Sequence, residues 1–355
     1  MKAVVLRSAN NLVVTDVPIP EIKPGWVLVR TTHCGICGSD LRYLRGDNPW
    51  AKQTLGVHRP NPENIILGHE VTGIVSDVGA GVSPELVGKR VAIIAFGTCG
   101  TCIHCRRGDE HLCENTRHLG HGAGWEELEY YYGGMAEYVP VEADWVVPLP
   151  ENVSNEIGAL LDPLGVAVHA VRKLHLQDED TVLIIGGGAV GQLAIQVAKA
   201  AAEVYAVLVD FCPSALSVAR QMGADATFSP ETSELREAVM EASSGAGAQA
   251  IIDTIGAPLG KYLPLLARGG TYVTLTVTSE PNDFVTARLA GERSILSSCN
   301  FRFAEYYEGL ALLQEDKIEV SPVITHRFHL EDAIEAFQTA ENKHESGAVK
   351  VVLYT

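Results

Sequence analysis

Positive charge is scarce in this chain of 355 residues: 27 Lys and Arg stand against 44 Asp and Glu, a formal net charge of -17 at pH 7. Proteins that hold nucleic acid usually present a basic stripe that displaces counterions from phosphates, so the deficit argues against a nucleic-acid partner. Long apolar runs are missing as well. The longest, such as Val182 to Ile185 and Val204 to Val209, are of strand length, far short of the ~20 residues that span a bilayer, and no membrane partner is expected. Met1-Lys2-Ala3-Val4-Val5-Leu6 has neither the long apolar stretch nor the small-residue cleavage site of a secretory signal, which makes the cytoplasm the expected location. Eight cysteines could pair in a small secreted protein, but four of them crowd into residues 99–113 of a large chain, and metal binding is the better reading.

The remaining composition is that of an ordinary α/β globular protein, Gly-rich and 46% hydrophobic. The length is about twice that of a usual domain, so two domains with separate cores are expected. From Met1 to about Pro150, short β-branched runs broken by Gly and Pro predict a β-rich domain; Trp26-Val27-Leu28-Val29-Arg30 and Val71-Thr72-Gly73-Ile74-Val75 are examples. Near Val153 the pattern changes, and helix-period segments alternate with apolar strand runs until about Leu296, as in a parallel sheet covered by helices. Val190, Leu193, Ala194, Val197 and Ala198 fall at helical spacing between Ala189 and Ala202, flanked by strands predicted over Thr181 to Ile185 and Val204 to Val209. Beyond Asn300 the sequence predicts a helix through Leu313, a short run Val323-Ile324, a helix from Glu331 to Ala340 and a last strand Val349 to Leu353. This tail is expected to rejoin the first domain.

Two patterns carry chemistry by themselves. In Val182-Leu183-Ile184-Ile185-Gly186-Gly187-Gly188-Ala189-Val190-Gly191, a strand, a Gly-x-Gly-x-x-Gly turn and a helix start follow one another. Gly186 permits the tight turn, Gly188 lets a pyrophosphate approach the backbone, and Gly191 allows close packing, while the helix opened by Ala189 and Val190 offers unpaired N–H groups to the anion. Asp210 ends the next strand, where a carboxylate can accept from the adenosine ribose and would repel a 2'-phosphate, so NAD is favoured over NADP; Arg220 nearby leaves some room for NADP. The second pattern is Cys99, Cys102, Cys105 and Cys113, a C-x2-C-x2-C-x7-C array that can close tetrahedrally around one structural zinc.

A further set is dispersed: Cys37 in Cys34-Gly35-Ile36-Cys37-Gly38-Ser39-Asp40, His69 and Glu70 in Gly68-His69-Glu70, and Asp162 in Leu161-Asp162-Pro163-Leu164. Spacing alone does not reveal a site, since a buried thiol, a core imidazole, a surface carboxylate and a helix-start Asp account for each member singly.

With these motifs, the four-cysteine lobe, Gly133-Gly134-Met135-Ala136-Glu137-Tyr138, and Phe301-Arg302-Phe303 followed by Thr325-His326-Arg327-Phe328, the chain resembles the zinc-containing medium-chain alcohol dehydrogenases over essentially its whole length. Within that family it resembles the sorbitol and threonine dehydrogenase branches. The resemblance implies a GroES-like β-rich catalytic domain (residues 1–152 and 297–355) with a structural-zinc lobe at about 97–115, and a Rossmann doubly wound parallel-sheet domain (153–296). It implies two zincs per chain: one held by the four cysteines, and a catalytic one bound by Cys37 and His69 with Glu70 beside them and Asp162 as a carboxylate ligand. Ser39 matches the hydroxyl that passes on the alcohol proton, Tyr43 a substrate-pocket aromatic, and Arg302 a cofactor-facing charge. Cys34 is expected to be no ligand. NAD would take a hydride from a secondary alcohol of a polyol, sugar or related small hydroxy compound. L-threonine is the second substrate reading, with Arg59 or Arg302 as a possible carboxylate clamp, and a non-catalytic dinucleotide-binding zinc protein is the rival from another class. A homodimer or homotetramer is implied, with Thr271 to Thr278 as a candidate interface strand, the alternative being that this edge is covered within the chain. The chain departs from the family where Arg42 stands in place of a relay histidine, in the Pro- and Asn-rich stretch 46–64, expected to be a loop that reshapes the substrate mouth, and in Gly120 to Tyr132. The last is readable either as a second specificity loop or as a solvated excursion.

Overall fold

The computed structural model describes residues 1–276, 282 and 284–355. One sheet of seven strands contains, in spatial order, Val146–Pro148, Arg90–Ile93, Glu70–Val78, Trp26–Ile36, Lys350–Tyr354 and Ile324–His329, with Tyr138–Glu142 also paired on Trp26–Ile36. Val27 and Val29, Val71 and Val75, and Val91 and Ile93 enter one core together, the two-residue period of strands buried on one face. The last strand, Lys350–Tyr354, runs antiparallel to Trp26–Ile36 with Val352 opposite Gly35.

The second sheet has six parallel strands in the order Ala226–Phe228, Tyr205–Val209, Thr181–Ile185, Ala248–Asp253, Leu266–Thr274, Ser294–Ser297. The earliest strand in sequence lies in the middle and the chain winds outward on both sides, the doubly wound Rossmann order, whose reversal point falls beside Thr181–Ile185. Both faces of that strand are covered. Val182 and Ile184 pack with residues of helices Leu161–Arg172 and Ala189–Ala201, and Leu183 and Ile185 pack with residues of Glu234–Ala242, which is why the strand is apolar throughout rather than alternating.

Two expectations need correction. The stretch 46–64 is not a plain loop, because Pro49–Leu55 is helical: the Asn48 side chain accepts from the Ala51 amide (3.0 Å), Pro49 occupies the first turn, and Gly56 ends the helix with φ 68°. Nor is the expected interface strand an edge. Ser294–Ser297 pairs along Leu266–Thr274 and covers its outer side; Val277 and Thr278 lie outside the described residues. Among the described residues no helix is long and apolar enough to cross a membrane.

Candidate active site

The strand Trp26–Ile36 runs into Cys37, which opens the helix Gly38–Leu44. The strand Glu70–Val78 pairs with it in the register Gly35 to Glu70, which delivers Glu70 and the preceding His69 beside Cys37. Two glycines make the approach possible. Gly68 holds φ 95°, where a Cβ would meet the Cys34 sulfur and Met135, and a Cβ on Gly35 would occupy the place of the Glu70 carboxylate. One ligand atom each from Cys37, His69 and Glu70 then lies within 4.8 Å of the others. Asp162, in the first turn of the helix Leu161–Arg172, lines the same cavity but is not a member of that set. Burial pushes its carboxyl up to about 7 against the opposing pull of His69, and Glu70 adds to the rise. Cys34 is buried outside the set.

Two buried residues with no assigned role in the sequence hold these groups in place. The Asp40 carboxylate accepts from the Cys37 amide (2.8 Å) and stands 3.6 Å from His69 Nδ1. Lys350 is 3% exposed, pairs with Glu70 and donates to the Ile36 carbonyl (3.1 Å). Burial opposes charge on His69, yet Asp40, then Cys37, raise its pKa well above the ordinary value. A thiol, an imidazole and a carboxylate brought this close together are the donor types that hold zinc. Ser39 Oγ is 3.5 Å from His69 Nε2. Arg42 is held by Asp47 through Nε (2.9 Å) and Nη2 (2.6 Å), so it is a fixed cation and not a titrating relay. Asp40→Asn is expected to lower affinity for the catalytic metal and kcat/KM by about 10–100-fold. Metal analysis with kinetics reads both, and wild-type values in both would mean that other groups orient His69.

Cys37, Ser39, His69, Glu70, Asp162 and Lys350 line a cleft of about 670 Å³ whose lining also includes Gly187, Gly188, Ala189, Val190, Asp210 and Thr254. Gly186 holds φ 99° and a Cβ there would strike Thr254; a Cβ on Gly191 would strike the Gly186 carbonyl. At Gly188, by contrast, no atom lies within 4 Å of the Cβ position, directly before the helix Ala189–Ala201. Bare backbone over a helix N-terminus fits a pyrophosphate. The Asp210 carboxylate accepts from the Gly187 amide (2.6 Å) and the Cys212 amide (2.7 Å), and its remaining lone pairs are left for ribose hydroxyls.

Arg302 stands at the cysteine lobe. It is absent from the cleft lining and pairs instead with Asp109 of the cysteine lobe (2.6 Å), while the neighbouring Phe303 amide donates to Glu110 (2.8 Å). Arg220 donates to Thr227 and is also outside the lining.

In the lobe, sulfur separations are 3.9 Å for Cys99 to Cys105, 3.5 Å for Cys102 to Cys105 and 3.6 Å for Cys113 to Cys99. Four thiolates about 2.3 Å from a zinc ion define a tetrahedron with edges of about 3.8 Å, and these distances fit it. The backbone amides of Thr101 and Cys102 draw the Cys99 thiol down to about 5, whereas burial pushes Cys105 up to about 12. A cation is therefore needed to make all four thiolates.

Residues 23–151 match the model of the alcohol dehydrogenase GroES-like domain, and residues 189–315 that of the zinc-binding dehydrogenases. D-xylulose reductase A of Aspergillus clavatus is 32% identical over 94% of this chain and 92% of its own. L-threonine 3-dehydrogenase of Bacillus subtilis is 32% identical over 95% and 94%. The chain belongs to the zinc-dependent medium-chain alcohol dehydrogenase family. Solved structures agree: an alcohol dehydrogenase of Escherichia coli CFT073 with NADH (28% identity, TM-score 0.87) and a zinc-binding dehydrogenase of Sinorhizobium meliloti 1021 with NADP (29%, TM-score 0.87) each cover 100% of this chain and 99% of their own.

In this dehydrogenase the stretch 120–132 begins buried at Gly120 and His121, while Gly124, Glu126, Glu127 and Glu129 are exposed. His121 lines the cleft, stacked on Tyr43 (ring centroids 5.1 Å, 9° between planes) and Trp50 (5.8 Å, 28°), and His118 stands beside it at 4.0 Å. Tyr43 is thus a buried pocket aromatic, as the resemblance implied. Burial, followed by the charge of His69, pulls His118 down to about 3, and burial holds His121 well below the ordinary histidine value. Neither histidine could be found from the sequence, because residues 118–121 reach the site only through the fold. Lys350 did leave a signal: it is the one charge in Ala348-Val349-Lys350-Val351-Val352-Leu353, and a lysine buried in a strand needs a partner.

Proposed function

We propose that this chain is an NAD-dependent polyol or sugar dehydrogenase whose catalytic zinc is held by Cys37, His69 and Glu70, with a second zinc in the four-cysteine lobe. The observation that carries the reading is the shared cleft. The Cys37–His69–Glu70 set and Gly188 line one cavity, so a nicotinamide and an alcohol can be brought together there. Zinc bound at the set supplies Lewis acidity to the alcohol oxygen. The protein's own groups do the rest. Asp40 orients His69, Lys350 offsets the Glu70 charge, and Ser39, at the cleft surface beside His69, is placed to take the alcohol proton.

A polyol is favoured over L-threonine by the fate of the cations. Recognition of a free carboxylate calls for an uncommitted Arg or Lys. In the lining, Arg42 is paired with Asp47 and Lys350 with Glu70; Arg59 and Arg302 lie outside it. Lys343 is at the adenosine end, where its carbonyl accepts from Cys212. NAD is favoured over NADP because a 2'-phosphate would meet the Asp210 carboxylate. The edge strand Ser294–Ser297, with Leu296 40% exposed, supports a homo-oligomer joined at that edge. Eight unpaired cysteines support the cytoplasm.

The test is NADH absorbance with zinc-replete protein across polyols, sugars, L-threonine and simple secondary alcohols, with NADP in parallel. The expected result is a kcat/KM for at least one polyol or sugar about 100-fold above that for L-threonine. Preference for L-threonine would replace the substrate reading. Cofactor binding without turnover on any alcohol would favour a non-catalytic binder.

A further inference from the structure

We propose that His118 and His121 form a hydrogen-bonding pair that recognises a hydroxyl of the substrate other than the one that reacts, with Trp125 as their positioning residue. The inference rests on the polyol reading and narrows its substrate class to uncharged compounds with at least two hydroxyls.

Both rings are buried, His118 at 8% and His121 at 4% exposure, and both line the cleft. His118 stands edge-on to His69, 5.8 Å between centroids, which places the pair next to the reacting centre. The His118 Nδ1 lies 2.8 Å from the Leu119 carbonyl. A carbonyl only accepts, so Nδ1 carries the proton and Nε2 presents a lone pair. His121 Nδ1 is buried and has no partner among the described residues. A buried polar atom left without a partner in a cleft marks a place for a ligand or a bound water. One lone pair from His118 and a donor–acceptor ring from His121 complement a hydroxyl, which both donates and accepts. A carboxylate has no proton to give to His118, and an ammonium group would be buried with no counter-charge from the pair.

The segment is built to hold these rings. Gly120 has φ 80°, and a Cβ there would collide with the backbone of Gly68, so the turn lies directly against the residue preceding His69. On the far side the Trp125 indole donates to the His118 carbonyl (2.8 Å) and packs among Trp26, Tyr132 and Trp145. A solvated excursion would have neither feature.

His121→Phe keeps the stack on Tyr43 and Trp50 and removes both nitrogens. With zinc-replete full-length protein, the ratio of kcat/KM for a pentitol to that for 2-propanol is expected to fall about tenfold, mainly through KM. Trp125→Phe, which keeps the aromatic packing and removes the N–H, is expected to move the ratio the same way, and it provides the reading if His121→Phe does not fold. A ratio equal to wild type in the folded variants overturns the histidine pair and leaves the polyol reading intact. A wild-type protein that oxidises no polyol removes both.

Discussion

Cys37→Ala is expected to release one zinc per chain and to cut kcat/KM at least about 1,000-fold, because polarisation of the reacting oxygen by the metal supplies several kcal/mol of transition-state stabilisation. The loss should be specific. Alanine keeps the backbone N–H that donates to Asp40, so the start of the helix Gly38–Leu44 survives. The two remaining groups, His69 and Glu70, offer too few ligands, since a catalytic zinc takes three from the protein. NAD binding depends on Gly188 and Asp210 elsewhere in the cleft, and the four-cysteine lobe has its own ligands. Cofactor titration and one residual zinc per chain should therefore match a folded, inactive enzyme. A variant that keeps two metals and its turnover would remove Cys37 from the catalytic set.

The fold was legible wherever local pattern decides structure. The apolar run before Gly186 is the strand Thr181–Ile185, and the helical spacing after it gives Ala189–Ala201, because a buried parallel strand and its covering helix impose different periods on the sequence. The four-cysteine cluster was legible for a similar reason: its sulfurs come from residues 99–113, and short-range spacing constrains their geometry. The dispersed set was legible only through resemblance, since Cys37 and His69 meet through a long-range strand register. Asp40, His118 and His121 carry no local mark at all. The pairing of Arg302 with Asp109 of the lobe was not legible, because a lone arginine has no pattern to show which partner it takes.

That last contact gives the lobe a part in stability beyond its own residues, and Cys113→Ala tests it. Cys113 is fully buried, its sulfur accepts from the Cys99 amide (3.4 Å), and its carbonyl accepts from Thr116 (2.7 Å). Without its thiolate the site cannot close, and zinc bound at such sites contributes directly to folding, about 10–16 kcal/mol in isolated peptides. The lobe here is also docked. Asp109 holds Arg302, Glu110 holds the Phe303 amide, and His111 packs edge-on against His169 (4.8 Å), which is itself paired with Glu305 (2.9 Å). His169 lies on the helix that begins at Leu161 and carries Asp162 into the cleft. Loss of the lobe would therefore expose the buried His169–Glu305 hydrogen bond and loosen the helix that carries Asp162. The expected result is loss of the second zinc, a fall in Tm of about 10 °C, new proteolytic cleavage within residues 99–113, and a partial loss of activity. Cys37→Ala, by contrast, should leave Tm nearly unchanged. Should Cys113→Ala retain two zincs with the wild-type Tm, the four sulfurs would not be a metal site, and the docking contacts alone would have to hold the lobe in place.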